Sequence, residues 1–112
     1  MPEADDIVLV VTTTDDRALA DAIARALVER RLAACVRIVP VGSVYRWQGE
    51  ICAADEFAVE AKTTHAAAGA VQAAIAALHP YDLPEILVLP ALGGSDAYLG
   101  WIRSEVTPAG AR

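Results

Sequence analysis

Cysteine is scarce in this chain. Cys35 and Cys52 are the only two, and their separation matches no C-x-x-C spacing, which excludes a zinc ribbon or a dithiol redox motif and predicts free thiols. Basic residues are few as well: nine Lys and Arg stand against fifteen Asp and Glu, for a net charge of -6. They are scattered singly or in one pair, so no track exists for a phosphate backbone and nucleic acid is excluded as a partner. Long hydrophobic runs are missing too. "IVLVV" falls far short of the roughly 20 residues that cross a bilayer, so no membrane span is expected. The acidic start "MPEADDIVLVV" has no basic n-region or small-residue cleavage site, which predicts a cytoplasmic protein. The sequence contains no G-x-G-x-x-G, G-x-x-x-x-G-K-[ST], G-x-S-x-G or H-E-x-x-H. Dinucleotide, P-loop, serine-hydrolase and zinc-protease chemistry therefore have no local support.

What is present is apolar. The 112 residues are 55% hydrophobic and 21% charged, enough for one core and a single domain over residues 1–112. "IVLVVTTT", Ile7 to Thr14, reads as a buried strand. A helix follows, with Thr14 or Asp15 as N-cap, Leu19, Ile23 and Leu27 as its buried stripe, and Arg30 and Arg31 at its negative end. The run "LAACVRIVPVGSVYRWQGEI" is strand-like, with a kink or bulge expected at Pro40 and Gly42 and a turn supplied by "GEICAADE". "EFAVEAKTT" alternates, with Phe57, Val59 and Ala61 on one face and Ala58, Glu60 and Lys62 on the other. Thr63 or Thr64 caps a second helix bearing Val71, Ile75 and Leu78, and Pro80 stops it near His79. "EILVLPAL" is the last strand, closed by Pro90. Ser95 caps a short helix, and "TPAGAR" is a frayed tail.

The order β-α-β-β-α-β predicts an α+β, ferredoxin-like subunit with both helices on one face of a four-stranded sheet. "IVLVV" and "ILVL" are nevertheless apolar at odd and even positions alike, the pattern of strands covered on both sides. Another copy of the chain is the economical cover for the second face, so a homo-oligomer is expected. Glu60 and Lys62 then sit at or near an interface, or form an ordinary exposed pair on an edge strand.

Two stretches carry the candidate functional residues. In "HPYDLPEILVLP", His79 either ends a helix or binds something, and Tyr81, Asp82 and Glu85 stand on a chain stiffened by Pro80 and Pro84. In "SVYRWQGEI", alternation puts Tyr45 and Trp47 on one face ahead of a turn at Gly49, where they line a pocket or anchor a subunit contact.

"LAACVRIVPVGSVYRWQGEI", "HPYDLPEILVLP" and "YLGWI", in that order, resemble the CutA family of divalent-cation tolerance proteins over about residues 7–106. The resemblance implies a ferredoxin-like subunit in a PII-like homotrimer whose long strands extend the sheets of neighbouring subunits. It also implies a link to copper or another divalent cation. Copper sites proposed in the family join a cysteine beside the first-strand threonine to histidines of the HPY motif. Here Val11 precedes Thr12 and Leu78 precedes His79, so His79 alone matches.

Two functions follow from this reading. One is a non-enzymatic, metal-responsive or metal-binding trimer with His79 as candidate ligand. The other is a PII-like module binding a small molecule in a subunit cleft through Tyr45, Trp47, Lys62, His79, Tyr81 and Glu85. Catalysis is a third and lesser alternative, because no nucleophile and base pair is legible.

Overall fold

In the computed structural model, which describes residues 2–107, the elements run β1 (Ile7–Thr14), α1 (Arg17–Glu29), β2 (Cys35–Trp47), β3 (Glu50–Thr64), α2 (His65–Leu78), β4 (Leu87–Pro90) and α3 (Asp96–Glu105). The strands form one antiparallel sheet in the order β2-β3-β1-β4. This is the ferredoxin-like arrangement expected from the element order. Most of the expected "TPAGAR" tail lies outside the described residues. Thr107 is described, and its N–H donates to the Arg31 carbonyl at 2.9 Å.

The core lies between the sheet and the helix pair. Val8 and Val10 of β1, Val59 and Ala61 of β3, Ile23 and Leu27 of α1 and Val71 and Ile75 of α2 are all buried there. Each large aliphatic side chain contributes about 1.5–3 kcal/mol by leaving water. Of the expected α1 stripe, Ile23 and Leu27 are buried and Leu19 packs against the cluster edge. Leu78, expected in the α2 stripe with Val71 and Ile75, is 41% exposed and is not part of the core.

The caps refine the sequence reading. The α1 N-cap is Asp16, whose Oδ1 accepts from the Ala18 N–H at 2.9 Å, rather than Thr14 or Asp15. Thr14 is still in β1 and accepts from the Asp16 N–H. At the other end Arg31 takes a left-handed φ of 57°, and the Arg31 and Leu32 N–H groups donate to the Val28 and Leu27 carbonyls. That Schellman closure usually falls on glycine.

Pro40 and Gly42 make no bulge. They sit in a continuous ladder, opposite Phe57 and Asp55. β2 is an edge strand, where a proline need not remove a ladder hydrogen bond. The turn is also shorter than "GEICAADE": it consists of Gln48 and Gly49, with φ of 51° and 83°, and β3 begins at Glu50. Two successive positive φ values give the hairpin a twist that matches its strands. The uninterrupted β2–β3 hairpin runs beyond the end of β1 as an arm, and the molecule measures 43 × 27 × 23 Å.

β3 is a central strand, so Glu60 and Lys62 are not on an edge. Glu60 pairs with Arg37 across the ladder at 3.4 Å, and Lys62 Nζ donates to the Tyr98 hydroxyl at 2.8 Å. α3 covers only the near end of the second face, where Ile102 and Val106 pack on Ile7. Further along, Leu9 and Val11 are partly covered and Leu87 and Leu89, their β4 partners, are 55% and 44% exposed. β4, expected as a buried strand, is therefore open in the single chain.

Two positions, one on the exposed side of α2 and one buried in β1, give predictions. Gly69 lies inside α2, and a Cβ there meets nothing within 4 Å. Gly69→Ala is expected to raise the unfolding free energy by about 0.5–1 kcal/mol in chemical denaturation. Thr12 Oγ1 is the buried side-chain polar atom without a hydrogen-bond partner among the described residues. Thr12→Val is expected to stabilise by about 1 kcal/mol, and a loss of stability would reveal a partner for the hydroxyl.

Candidate functional site

The site is built where the hairpin arm meets the loop between α2 and β4. Val36 and Ile38, at even positions of β2, pack into the helix-covered core, so the odd positions Ser43, Tyr45 and Trp47 face the other way. Glu56 lies opposite Val41 on that same face, and Thr13 alternates onto it from β1. Tyr81, Asp82 and Glu85 close the space from the loop. Together these residues line a groove of about 760 Å³.

His79 holds the loop against β1. As C-cap of α2 it is 8% exposed, and its Nε2 lies 2.7 Å from the Thr13 carbonyl. Its Nδ1 accepts from the Tyr81 N–H at 3.3 Å. A backbone N–H only donates and a carbonyl only accepts, so the two contacts assign the neutral tautomer with its proton on Nε2. The two ring nitrogens are both engaged. The Tyr81 ring packs edge-on against His79, with centroids 4.5 Å apart, and its hydroxyl accepts from the Asp15 N–H at 3.2 Å.

Four of the sequence-derived candidates, Tyr45, Trp47, Tyr81 and Glu85, therefore share one groove, and His79 positions Tyr81 from behind. Lys62 is not brought to the groove within one chain. It lies six residues along β3 from Glu56, about 20 Å at strand rise, and stands against α3. Glu56 and Thr13 were missed by sequence reading. Their signal was the odd-even alternation of β3 and β1, but only the strand register shows that both reach the arm.

A metal fits this chain poorly. Among the described residues, no group of three or more His, Cys, Asp or Glu side chains is placed to hold an ion. Binding at His79 requires giving up the bond to Thr13 or to Tyr81. Cys35 lies opposite Lys62 and Cys52 opposite Tyr45, about 33 Å apart along the ladder, so neither joins a common site or a disulfide within the chain.

A ferredoxin-like α+β chain with a long paired arm and a groove under it defines the class. Residues 8–105 match the CutA1 divalent ion tolerance protein family, and the chain belongs to that family. The divalent-cation tolerance protein CutA of Thermus thermophilus is 45% identical over 100 residues, spanning 88% of this chain and 95% of the relative. That of Pectobacterium atrosepticum is 38% identical, spanning 90% and 93%. The chloroplastic CutA of Arabidopsis thaliana is longer, and the matched region spans 54% of it. The CutA structure from Synechococcus elongatus superposes with a TM-score of 0.87 at 42% identity, covering 96% of this chain and 95% of the other. A CutA from Archaeoglobus fulgidus described as periplasmic superposes with a TM-score of 0.87 at 36% identity, covering 90% and 99%. No helix among the described residues is long and apolar enough to cross a membrane.

Partial burial pushes the Tyr81 phenol above its ordinary 10.0, offset in part by the Asp15 N–H bond and reinforced by the nearby Asp15 and Glu56 charges. The unfolded chain then loses this proton first, so the associated stability is complete below pH 10.0 and declines as the pH rises through the folded-state value. Denaturation midpoints followed between about pH 9 and 11 should fall less steeply in Tyr81→Phe than in the parent. Identical slopes would show that the phenol is not perturbed.

Proposed function

We propose that the chain serves divalent-cation tolerance as a non-enzymatic homotrimer that responds to copper or another divalent cation without holding it in a tight, built site. Membership of the divalent ion tolerance family supports the cation link. The observation that carries the form of the response is the His79 ring, whose two nitrogens are already hydrogen-bonded. The exposed apolar β4 and the open second face support the trimer, since a neighbouring copy is the economical cover for them. Each chain carries a net charge of -6, so three of them attract cations without choosing among them. His79 is the one candidate ligand, and it binds only by releasing Thr13 or Tyr81.

Calorimetric titration with Cu(II) and Zn(II), beside His79→Gln and with mass measured in the same samples, tests this reading. Expected are a trimeric mass and weak binding that is equal in both proteins and suppressed by salt. Saturable copper binding at about one ion per chain or fewer, lost in the variant, would instead make His79 a ligand. A monomeric mass would remove the trimer.

A second reading, binding of a small molecule in a subunit cleft, is favoured by one observation. Tyr45, Trp47, Tyr81 and Glu85 converge on a groove of about 760 Å³, within the size range of small-molecule sites.

A further inference from the structure

Arg31 stands where a glycine would close α1 without strain. Its φ of 57° is left-handed, a region that a residue with a Cβ enters at a cost. The Arg31, Leu32 and Ala33 N–H groups return to the Val28 and Leu27 carbonyls and finish the helix. Nothing in that closure uses the arginine side chain. The guanidinium goes elsewhere: Nη1 donates to the Glu105 carbonyl at 3.1 Å and so reaches the last residue of α3, 74 positions away. That carbonyl is one of the four that a helix C-terminus leaves without an internal partner.

The backbone of the same residue makes a second tie. In a trans peptide the C=O and the N–H point to opposite sides. The Leu32 N–H turns back to the Leu27 carbonyl, so the Arg31 carbonyl points away from α1, where it accepts from the Thr107 N–H at 2.9 Å. The left-handed turn therefore aims a carbonyl at the chain just after α3. The apolar hold on that helix is small: Ile102 and Val106 pack with Ile7 and Ala67 in a cluster apart from the main core. An ion pair does not explain the arginine, since Nη1 and Glu105 Oε1 are 3.8 Å apart on exposed side chains, where such pairs contribute little. Nor does positive charge at the end of α1, which the exposed Arg30 also supplies.

We propose that Arg31 is a positioning residue that couples the closure of α1 to the docking of α3, its guanidinium holding the Glu105 carbonyl while its left-handed backbone holds Thr107. The two helix ends then order together. All of these bonds lie within one chain, so the coupling does not depend on what covers the open sheet face. Because α3 packs over the near end of that face, Arg31 sets, from the loop before β2, how firmly that end is held.

Hydrogen–deuterium exchange of the intact protein in its native assembly tests the coupling in both directions. Arg31→Gly removes the side-chain tie and relieves the left-handed strain. Thr107→Pro removes the N–H that the Arg31 carbonyl accepts, and Val106 is already in the extended conformation that suits a following proline. Arg30→Gln is the control, deleting the neighbouring charge alone. In Arg31→Gly the α3 amides are expected to exchange about tenfold faster while Leu32 and Ala33 stay protected, since glycine holds the turn unaided. In Thr107→Pro the effect runs the other way, and the Leu32 and Ala33 amides are expected to exchange about threefold faster. Exchange in α3 that Arg31→Gly leaves unchanged, or that Arg30→Gln accelerates as much, overturns the proposal, as does unchanged exchange at Leu32 and Ala33 in Thr107→Pro. Should circular dichroism or native mass show that Arg31→Gly has lost its fold or assembly, Thr107→Pro alone decides.

Discussion

β1 lies between β3 and β4 and carries apolar side chains toward both faces of the sheet, so it is stable only where both faces are covered. α1 and α2 satisfy one face completely, with Val8 and Val10 closed into the core. On the other face, α3 packs on Ile7 and reaches Lys62, leaving the rest of the face uncovered. Leu9, Val11, Leu87 and Leu89 are left short of cover in the single chain, and the proposed homotrimer would supply it. Lys62 and Tyr98 stand at the margin of the covered end, where their contact helps fix α3 against β3.

The same central strand locates the groove. β1 stops at Thr14 while β2 and β3 continue as a free arm, which leaves a step in the sheet. The loop after α2 falls into that step, and the His79 ring fastens it to the Thr13 carbonyl at the last turn of the strand. A histidine at a helix end can act through its charge on the helix dipole. Here it acts instead as a neutral cross-link between a carbonyl and an N–H, which is why it is buried beside an exposed and polar loop.

Much of this architecture was legible in the sequence. Period-two alternation in "EFAVEAKTT", the threonine cap of α2 and the proline after His79 each have a local cause, and each element stands where that cause puts it. The failures share a different origin. Pro40 and Gly42 looked like breakers because their cost depends on strand neighbours, and only the sheet order reveals β2 as an edge. The α1 closure was invisible because an arginine occupies the left-handed position that glycine usually marks. Tyr45, Trp47, Tyr81 and Glu85 could be chosen as polar and aromatic residues in stiff surroundings. Glu56 could not, since its place in the groove depends on a register between strands distant in sequence. Lys62 stands away from them within one chain, and its expected place in a cleft between subunits depends on a neighbouring copy.

The two-residue turn at Gln48 and Gly49 also bears on how the chain reaches this structure. β2 and β3 are contiguous around it and can zip together from the turn outward, on the microsecond scale of an isolated hairpin. β1 must find Thr64 opposite Ile7 and Pro90 opposite Val8, pairings that close most of the chain into loops. Such non-local contacts set the slow step of folding. The most buried strand is thus the one whose partners arrive last, and until they do its apolar run is open to aggregation.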